Sequence, residues 1–334
     1  MRKFSIIVPV FNRPDEMKEL LESLAIQTEK NFELIIVEDG SEEKSDELAL
    51  QYGQKIDINY FYKENEKPAI ARNYGAKNAN GDYLLFFDSD CILPKDYFAK
   101  INLALKKNYT DAFGGPDAAH SNFGNLQKAI SYSMTSFFTT GGLRGSAEKL
   151  DKFYPRTFNM GVSRVAFDKI GGFPITKMHP GEDMVFSIEL IKQGFTTQLI
   201  KDAFVYHKRR NTIKTFYKQV SAFGKTRIVI SKLYPETFKI FFWAPTVFTL
   251  GTALLILLSF INPGFLLPII LYILGIFADS YIKNESIDVA GLSIITSFTQ
   301  LFGYGIGFLN SYINVHGKNK DEYDVFDSGF YKAE

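Results

Sequence analysis

Apolar residues in the first hundred positions fall into short, nearly unbroken runs. Each run is followed by a stretch in which they recur every three or four residues. Phe4–Val10, FSIIVPV, is continuous enough for a parallel strand buried on both faces. Pro14 then opens PDEMKELLESLAIQ, where Met17, Leu20, Leu21 and Leu24 share one helical face. FELIIVEDGS, INYFYK and YLLFFDSD read as further strands. SDELALQYG, stopping at Gly53, PAIARNYGAKNAN, and PKDYFAKINLALKKN, started by Pro94, read as helices. Strands alternating with helices in this way imply a doubly wound α/β sheet. Ligands bind such sheets beyond the carboxyl ends of the strands, where the strand order switches. Val10, Asp39, Asp88 and Asp90 all fall at such ends and are expected to converge on one crevice.

The pattern changes near residue 240. Ile240–Ala278 and Val289–Val315 contain no charged residue. A bilayer core of about 30 Å needs about 20 apolar helical residues, which Ile240–Ile261 supplies. Asn262-Pro263-Gly264 reads as a turn. Phe265–Ala278 is short by the same measure, unless Asp279 sits at the interface or the segment is re-entrant. The third run is long enough and carries Ser, Thr, Gln and several Gly, residues that favour close helix packing in lipid. Two or three spans both fit. The alternative, a buried helical core in a soluble protein, is the weaker reading because such cores rarely string so many uncharged residues together. The expected organisation is a sheet domain over residues 1–206, a basic amphipathic juxtamembrane segment over 207–239, a membrane region over 240–315 and a polar tail over 316–334.

The formal net charge is +1 and the hydrophobic content 46%, which exclude a disordered chain and give nucleic acid no footing as a partner. That balance hides an asymmetry. His207–Lys239 holds nine Lys/Arg against one Glu, a local +8, which leaves −7 for the remainder. Such a stretch faces phosphates, and before an apolar run it agrees with the cytosolic surface of a membrane. The single cysteine, Cys91, excludes an intrachain disulfide and fits a reducing compartment. The opening MRKFSIIVPVFN has too short an apolar run for a signal peptide. The sheet domain is therefore expected on the cytoplasmic side of the plasma (inner) membrane.

Two carboxylates directly after YLLFF raise a chemical question. Asp88 and Asp90 point the same way if strand geometry continues, making a hard oxygen site suited to Mg²⁺ or Mn²⁺ and to a bridged phosphate. An ordinary Asp/Ser turn is the bland reading, and the α/β frame tips the balance to the functional one. Asp39, in EDGS, is placed to accept a hydrogen bond from a nucleobase imide, or the segment caps the next helix through Ser41 or Ser45. Arg72, in PAIARNYG, suits a phosphate or base carbonyl, or is a solvated helix arginine. Glu182-Asp183 start a helix after Pro180-Gly181, as dipole partners or with a carboxylate serving as general base for an attacking hydroxyl. His207 ends a strand and precedes Lys208, Arg209 and Arg210, cations that would neutralise a leaving diphosphate or face the membrane surface.

In combination these pieces resemble a family 2 glycosyltransferase with the GT-A fold. IIVPVFNRPDEMKELLESL, ELIIVEDGS, ARNYGAKNANGDYLLFFDSD, NMGVSRVAFDKIGGF, GEDMVFSIELIKQGF and VYHKRRNT occur in the family's order over roughly residues 4–230. The resemblance implies an inverting transfer from a nucleotide-diphosphate sugar. It implies that Pro9 and Phe11 line the nucleotide pocket, Asp39 reads the base (most often uracil), Arg72 touches base or phosphate, and Asp88 approaches the ribose. Asp90 would hold a Mn²⁺ or Mg²⁺ on the diphosphate, with Asp88 and His207 assisting. Asp183 would be the base, and Glu182, Arg209 and Arg210 would stand on the diphosphate and acceptor side. Phe113–Pro116 and Asn159–Arg164 would shape the sugar and acceptor side. Glu38 departs from the family, which more often has Asp there. The implied partners are a nucleotide-sugar donor, a lipid-linked or glycan acceptor and membrane lipid. A hydroxyl acceptor is favoured over a polyprenyl phosphate, since an ionised phosphate needs no base. A nucleotide-sugar-binding membrane protein without chemistry is the competing class.

Overall fold

The computed structural model describes residues 3–120, 122–141, 153–175, 178, 180–318, 321 and 325–326. Most of the expected polar tail, 316–334, lies outside them. The N-terminal half alternates as its apolar pattern dictates: β1 (Phe4–Val10), α1 (Pro14–Ala25), β2 (Phe32–Asp39), α2 (Asp46–Tyr52), β3 (Asp57–Lys63), α3 (Pro68–Lys77), β4 (Tyr83–Phe86), β5 (Cys91–Ile92) and α4 (Tyr97–Lys107). Then come β6 (Ala112–Gly114), β7 (Asp117–Ala118), α5 (Asn125–Thr135), α6 (Phe137–Thr140), β8 (Met160–Ser163), α7 (Arg164–Ile170), α8 (Glu182–Lys192), β9 (Thr197–Leu199) and β10 (Val205–His207). The chain continues through α9 (Ile213–Leu233), α10 (Ala244–Ser259), α11 (Leu267–Asn284) and α12 (Ile287–Tyr312).

Among the described residues, seven strands form a mixed sheet in the order β3-β2-β1-β4-β8-β6-β9. β1 to β4 run parallel, β8 is antiparallel to β4, and β6 is antiparallel to β8. The order reverses at β1, whose neighbours are β2 and β4, so the crevice for a ligand opens between the carboxyl ends of β1 and β4. Two apolar layers enclose the sheet. Ile6, Val8, Leu34, Ile36 and Leu85 pack under α1 and α4, while Ile7, Ile35, Leu84 and Phe86 pack under α3, α7 and α8. A second, three-stranded sheet, β5-β10-β7, sets His207 directly opposite Cys91.

Two boundaries differ from the expectation. α4 starts at Tyr97, not at Pro94. Ser23 Oγ accepts the Leu93 N–H at 3.2 Å and Gln27 Nε2 donates to the Pro94 carbonyl at 2.8 Å, so α1 holds this backbone in a turn. β4 ends at Phe86, and Asp88–Asp90 form a turn closed by Cys91 N–H on the Asp88 carbonyl at 3.2 Å. The two acids share a direction because of that turn, not because the strand continues.

In the C-terminal part, segments Ile240–Ser259, Pro263–Asn284 and Ile287–Gly317 are long and apolar enough to cross a membrane. α9 does not lie loose on a surface. It packs through Val229 and Ile230 on Met184, Val185 and Ile188 of α8, and through Phe216 and Val220 on Ile130 and Met134 of α5.

β2 carries three buried acids, Glu33 near its start and Glu38 and Asp39 at its end. Glu33 Oε1 accepts from Ser5 Oγ and from Asn80 N–H, both at 2.6 Å, and Oε2 accepts from Asn80 Nδ2 at 3.1 Å. Burial pushes the Glu33 carboxyl up, and the Ser5 and Asn80 donors with Lys3 outweigh it, so the group sits below its ordinary value. A depressed folded value means that the stabilisation is complete above the unfolded carboxylate range and is lost as pH falls through the folded value. Glu33→Gln is expected to destabilise the fold by about 1–3 kcal/mol near neutral pH, because buried donors lose their acceptor. Denaturant melts of both proteins at descending pH should show this difference shrinking in acid; a difference that grows there would refute the assignment.

Candidate active site

The acids at the strand ends are held by a chain of charge contacts assembled from five elements. Arg72 projects from α3 and is 4% exposed, so it is not a solvated helix residue. Its Nη2 donates to Asp88 Oδ1 at 2.8 Å and its Nη1 to Glu182 Oε1 at 3.1 Å. One guanidinium thus ties the turn after β4 to the start of α8, using the planar fork that a lysine lacks. Glu182 is buried as well and accepts the Gly181 N–H at 3.0 Å. It is a structural anchor for the helix start. Asp183, next to it, faces Arg156, with Nε to Oδ2 at 3.4 Å.

On the other side of the turn, His207 Nε2 lies 3.1 Å from Asp90 Oδ1 and 4.0 Å from Asp88 Oδ2. Phe158 stacks on the imidazole, rings 13° from parallel and 5.1 Å apart. Behind the ring, His207 Nδ1 is 4.0 Å from Asp117 Oδ2, which also pairs with Arg209 Nη2 at 2.5 Å. Arg209 is buried, so its charge points inward and not at a membrane surface. Arg13, just after β1, reaches Asp90 Oδ2 at 3.5 Å. Burial pushes the Asp90 carboxyl up, and His207, Arg13 and Arg210 reverse that and hold it well below the usual carboxylate range. Burial likewise pushes His207 down, and the Asp90 charge lifts it above its ordinary value.

A cation is the chemical complement of this set. The 3.1 Å approach of His207 does not meet hydrogen-bond geometry, and Asp90 Oδ1 and His207 Nδ1 are both buried without a hydrogen-bond partner. Asp90, Cys91 and His207 bring one donor atom each within 4.8 Å of one another. Burial, then the charges of Asp90 and Asp88, push the Cys91 thiol well up, and its Sγ–H donates to the Phe158 carbonyl at 3.3 Å. It therefore stays a thiol, and the oxygen and imidazole donors are the ones that fit a hard divalent ion.

The nucleotide-side candidates lie across β1. Pro9 and Phe11 are half-buried at the end of that strand. Asp39 is occupied: its carboxylate accepts from Glu66 N–H at 3.0 Å, Lys67 N–H at 3.1 Å and Lys63 Nζ at 3.0 Å. It therefore folds the β3–α3 loop back over Gly40. That glycine has φ +82°, and a Cβ on it would lie 2.6 Å from Asn65 N, so both conformation and space demand Gly. Capping through Ser41 or Ser45 is not seen. Ser45 makes no side-chain cap bond, and buried Glu38 accepts instead from the Ser45 N–H at 2.9 Å, from Tyr60 Oη at 3.2 Å and from Ser41 Oγ. The longer Glu38 is thus a loop anchor behind Asp39. On the far side, Asn159 donates to the Ala203 carbonyl at 2.8 Å and accepts from Tyr97 Oη at 2.6 Å, fixing the rim between β6 and β8.

Sequence reasoning missed Arg13, Arg156, Asp117, Lys63 and Phe158. Arg13 stands in the quoted FNRPDE piece and had a signal; the others are single residues in featureless loops and short strands.

Comparison with known proteins places the chain in a family. The sequence model for "Glycosyl transferase family 2" matches residues 5–171. A Haemophilus influenzae glycosyltransferase is 43% identical over 224 residues, 63% of this chain and 71% of its own length. The dolichyl N-acetyl-alpha-D-glucosaminyl phosphate 3-beta-D-2,3-diacetamido-2,3-dideoxy-beta-D-glucuronosyltransferase of Methanococcus voltae is 28% identical over 327 residues, 91% of this chain and 96% of its own. The solved mannosyltransferase PcManGT of Pyrobaculum calidifontis, in complex with GDP-Man and Mn2+, shares the fold at a TM-score of 0.58 and 15% identity, over 95% of this chain and 88% of its own. The chain spans 22% of the length of a Rickettsia felis glycosyltransferase and 52% of a Rickettsia typhi one that it also matches.

Arg72 satisfies two carboxylates, one of them fully enclosed. Arg72→Ala is expected to cost about 3–5 kcal/mol by leaving Glu182 charged and buried without its guanidinium partner. Arg72→Ala combined with Glu182→Gln should recover part of that loss. Thermal melts of the single and double variants check it; equal melting of Arg72→Ala and the parent would rule out the bridge.

Proposed function

The chain is a member of glycosyl transferase family 2, and from that premise we propose that it moves a sugar from a nucleotide-diphosphate sugar, preferably a UDP-sugar, to a hydroxyl of a lipid-linked glycan at the membrane, with inversion. The observation that carries this reading is the half-buried Asp90 carboxylate, ringed by His207, Arg13 and Arg210, with its Oδ1 shielded from solvent and orphaned. Asp90 and His207, with Asp88, would hold Mn²⁺ or Mg²⁺, which when bound neutralises the charge of the leaving diphosphate. Arg13 and Arg210 add positive charge on the same side. Asp183 takes the proton of the acceptor hydroxyl as its oxygen attacks the anomeric carbon. The carbon–oxygen bond to the diphosphate breaks, and inversion follows from attack on the opposite face. Arg156 holds the Asp183 carboxylate in place, and Glu182 fixes the helix start that presents it. Pro9, Phe11 and the Asp39-braced loop form the nucleotide side.

A lipid-linked acceptor is supported by the three apolar segments, which imply association with a membrane, and by the Methanococcus relative, named for transfer to a dolichyl-linked sugar. The lone buried cysteine and the basic stretch before residue 240 support a catalytic domain, residues 1–206, on the cytoplasmic side of the inner membrane.

Purified full-length protein incubated with a panel of nucleotide sugars, Mn²⁺ or Mg²⁺ and a lipid-linked glycan should release nucleoside diphosphate and extend the glycan. Asp183→Asn is expected to lower kcat by about 10²- to 10⁴-fold with donor binding kept, the size of a lost general base. Asp90→Asn should weaken metal-dependent donor binding. Full activity in both variants would reject the mechanism. Turnover on polyprenyl phosphate that survives Asp183→Asn would reassign the acceptor to a phosphate, and donor binding without any turnover would reduce the protein to a binder.

A further inference from the structure

The three apolar segments are long enough to cross a bilayer, yet their packing sets a different geometry. α12 is bound along its length to the sheet domain's own helices. Thr296 Oγ1 donates to the Ala129 carbonyl of α5 at 3.0 Å, and Ser311 Oγ to the Lys225 carbonyl of α9 at 3.3 Å. Between these points α9 and α12 run side by side: a Cβ on Gly224 would lie 2.8 Å from Phe308 N, and one on Gly303 2.5 Å from Val220 Cγ2. α9 in turn is fixed to the candidate site, Thr226 Oγ1 donating to the Pro180 carbonyl at 2.7 Å, two residues before Glu182. It also carries Lys214, Lys218, Lys225, Arg227 and Lys232. Were α12 to stand across the bilayer, α9 with these cations and the domain behind it would have to enter the hydrocarbon, at several kcal/mol per buried charge.

The exposed apolar surface lies elsewhere. α10 and α11 meet α12 only near their bases: Thr246 Oγ1 donates to the Gly305 carbonyl at 3.1 Å, Phe248 packs on Phe298 and Phe302, and Ser280 Oγ sits 2.7 Å from Ser293 Oγ. The two legs touch at Phe248 and Tyr272, ring centroids 5.1 Å apart. Beyond that contact, Ala253 to Leu271 contains no buried residue and no charge. Phe260 is 85% and Ile261 81% exposed at its tip. The leg Thr249–Ser259 rises about 16 Å at ~1.5 Å per residue, roughly half of a ~30 Å hydrocarbon core. Its turn, Ile261-Asn262-Pro263-Gly264-Phe265, offers no charged loop to stand in water on a far side.

At the base the chemistry changes abruptly. Asp279 accepts from Tyr132 Oη at 2.7 Å and pairs with Lys283 at 2.8 Å. Lys239 precedes α10, and Trp243, the sole tryptophan, lies against Phe308 and Tyr312. Aromatic rings and lysines where an apolar segment begins and ends are what a headgroup region selects, and the lysines complement anionic phosphates.

We propose that the α10–α11 hairpin is a re-entrant wedge inserted into one leaflet of an anionic phospholipid bilayer, with α12 lying in the membrane plane beneath the sheet domain and no helix crossing. The occupant of the apolar hairpin is lipid acyl chain, and both ends of the 240–318 region remain on the side of the sheet domain.

Single-cysteine labelling tests this, since Cys91 is buried and the parent serves as blank. Ile261→Cys, Lys239→Cys and Lys318→Cys proteins are reconstituted in phosphatidylcholine/phosphatidylglycerol vesicles and exposed to a membrane-impermeant maleimide. Lys239→Cys and Lys318→Cys should label from the face that carries the sheet domain, and Ile261→Cys from neither face. A fluorophore placed on Ile261→Cys before reconstitution should be quenched by lipids brominated deep in the acyl chain, and Trp243 of the parent by shallow bromines. Labelling of Ile261→Cys from the opposite face, or of Lys239→Cys and Lys318→Cys from opposite faces, would establish spanning helices and overturn the proposal. An Ile261→Cys protein that is protected yet unquenched by any brominated lipid would mean that a second copy covers the hairpin, and would overturn it too.

Discussion

A buried guanidinium between two carboxylates is the constraint on which the rest of this molecule turns. Arg72 cannot shed its charge, and Glu182 cannot be left charged in an enclosed site without a partner. Their contact therefore fixes α3, the Asp88 turn and the start of α8 as one unit. Everything chemically reactive hangs from that unit. Asp90 is two residues from one end of the bridge, and Asp183 is one residue from the other. A shift of either element would leave an unpaired buried charge, so the distance between the Asp90 and Asp183 carboxylates is set by electrostatics as much as by packing.

The second half of the charge chain works differently. Around Asp90 the charges are arranged with an excess of cations and a gap: His207, Arg13 and Arg210 face a carboxylate whose Oδ1 has no donor. Structural ion pairs normally close such gaps. Here Phe158 stacks on the face of the imidazole and Asp117 stands 4.0 Å behind it, while its front edge stays beside an orphaned oxygen, an arrangement open to a ligand in a way that a closed salt bridge is not.

Much of this was legible in the order of residues. Buried parallel strands announce themselves as nearly unbroken apolar runs, and β1 and β2 fall where FSIIVPV and FELIIVED stand, with the partly exposed edge strand β3 at INYFYK. Acids that close such runs are conspicuous because burial opposes them. What the chain order hides is pairing across distance. Arg72 and Glu182 are 110 residues apart, and Asp39 reads as a free ligand until the Glu66–Lys67 backbone is found folded onto it. α4 begins three residues late because α1 captures the backbone at Pro94, a competition invisible in local propensity. The basic stretch after His207 reads as a membrane-facing surface, whereas the apolar side of α9 is shared between α8, α5 and α12.

That sharing couples α12 mechanically to the start of α8. α9 holds α8 on one flank, at Thr226 and Pro180, and α12 on the other, at Gly224 and Phe308. Backbones that approach so closely leave no side chain to repack, so a displacement of α12 has to move α9 rather than be absorbed. α9 cannot slide without dragging the Pro180-Gly181 turn, and Gly181 there adopts φ +132° with a Cβ position only 2.5 Å from Thr226 Cγ2. The turn before Asp183 is thus braced against α9, on which α12, the seat of the apolar hairpin, is packed. On the proposed function, a lipid-tethered acceptor would present its hydroxyl at a height fixed by the bilayer, and Asp183, held at a height fixed by the same surface, would need no further search along that axis. Positioning of this kind lowers the entropic part of the barrier without any added contact to the acceptor.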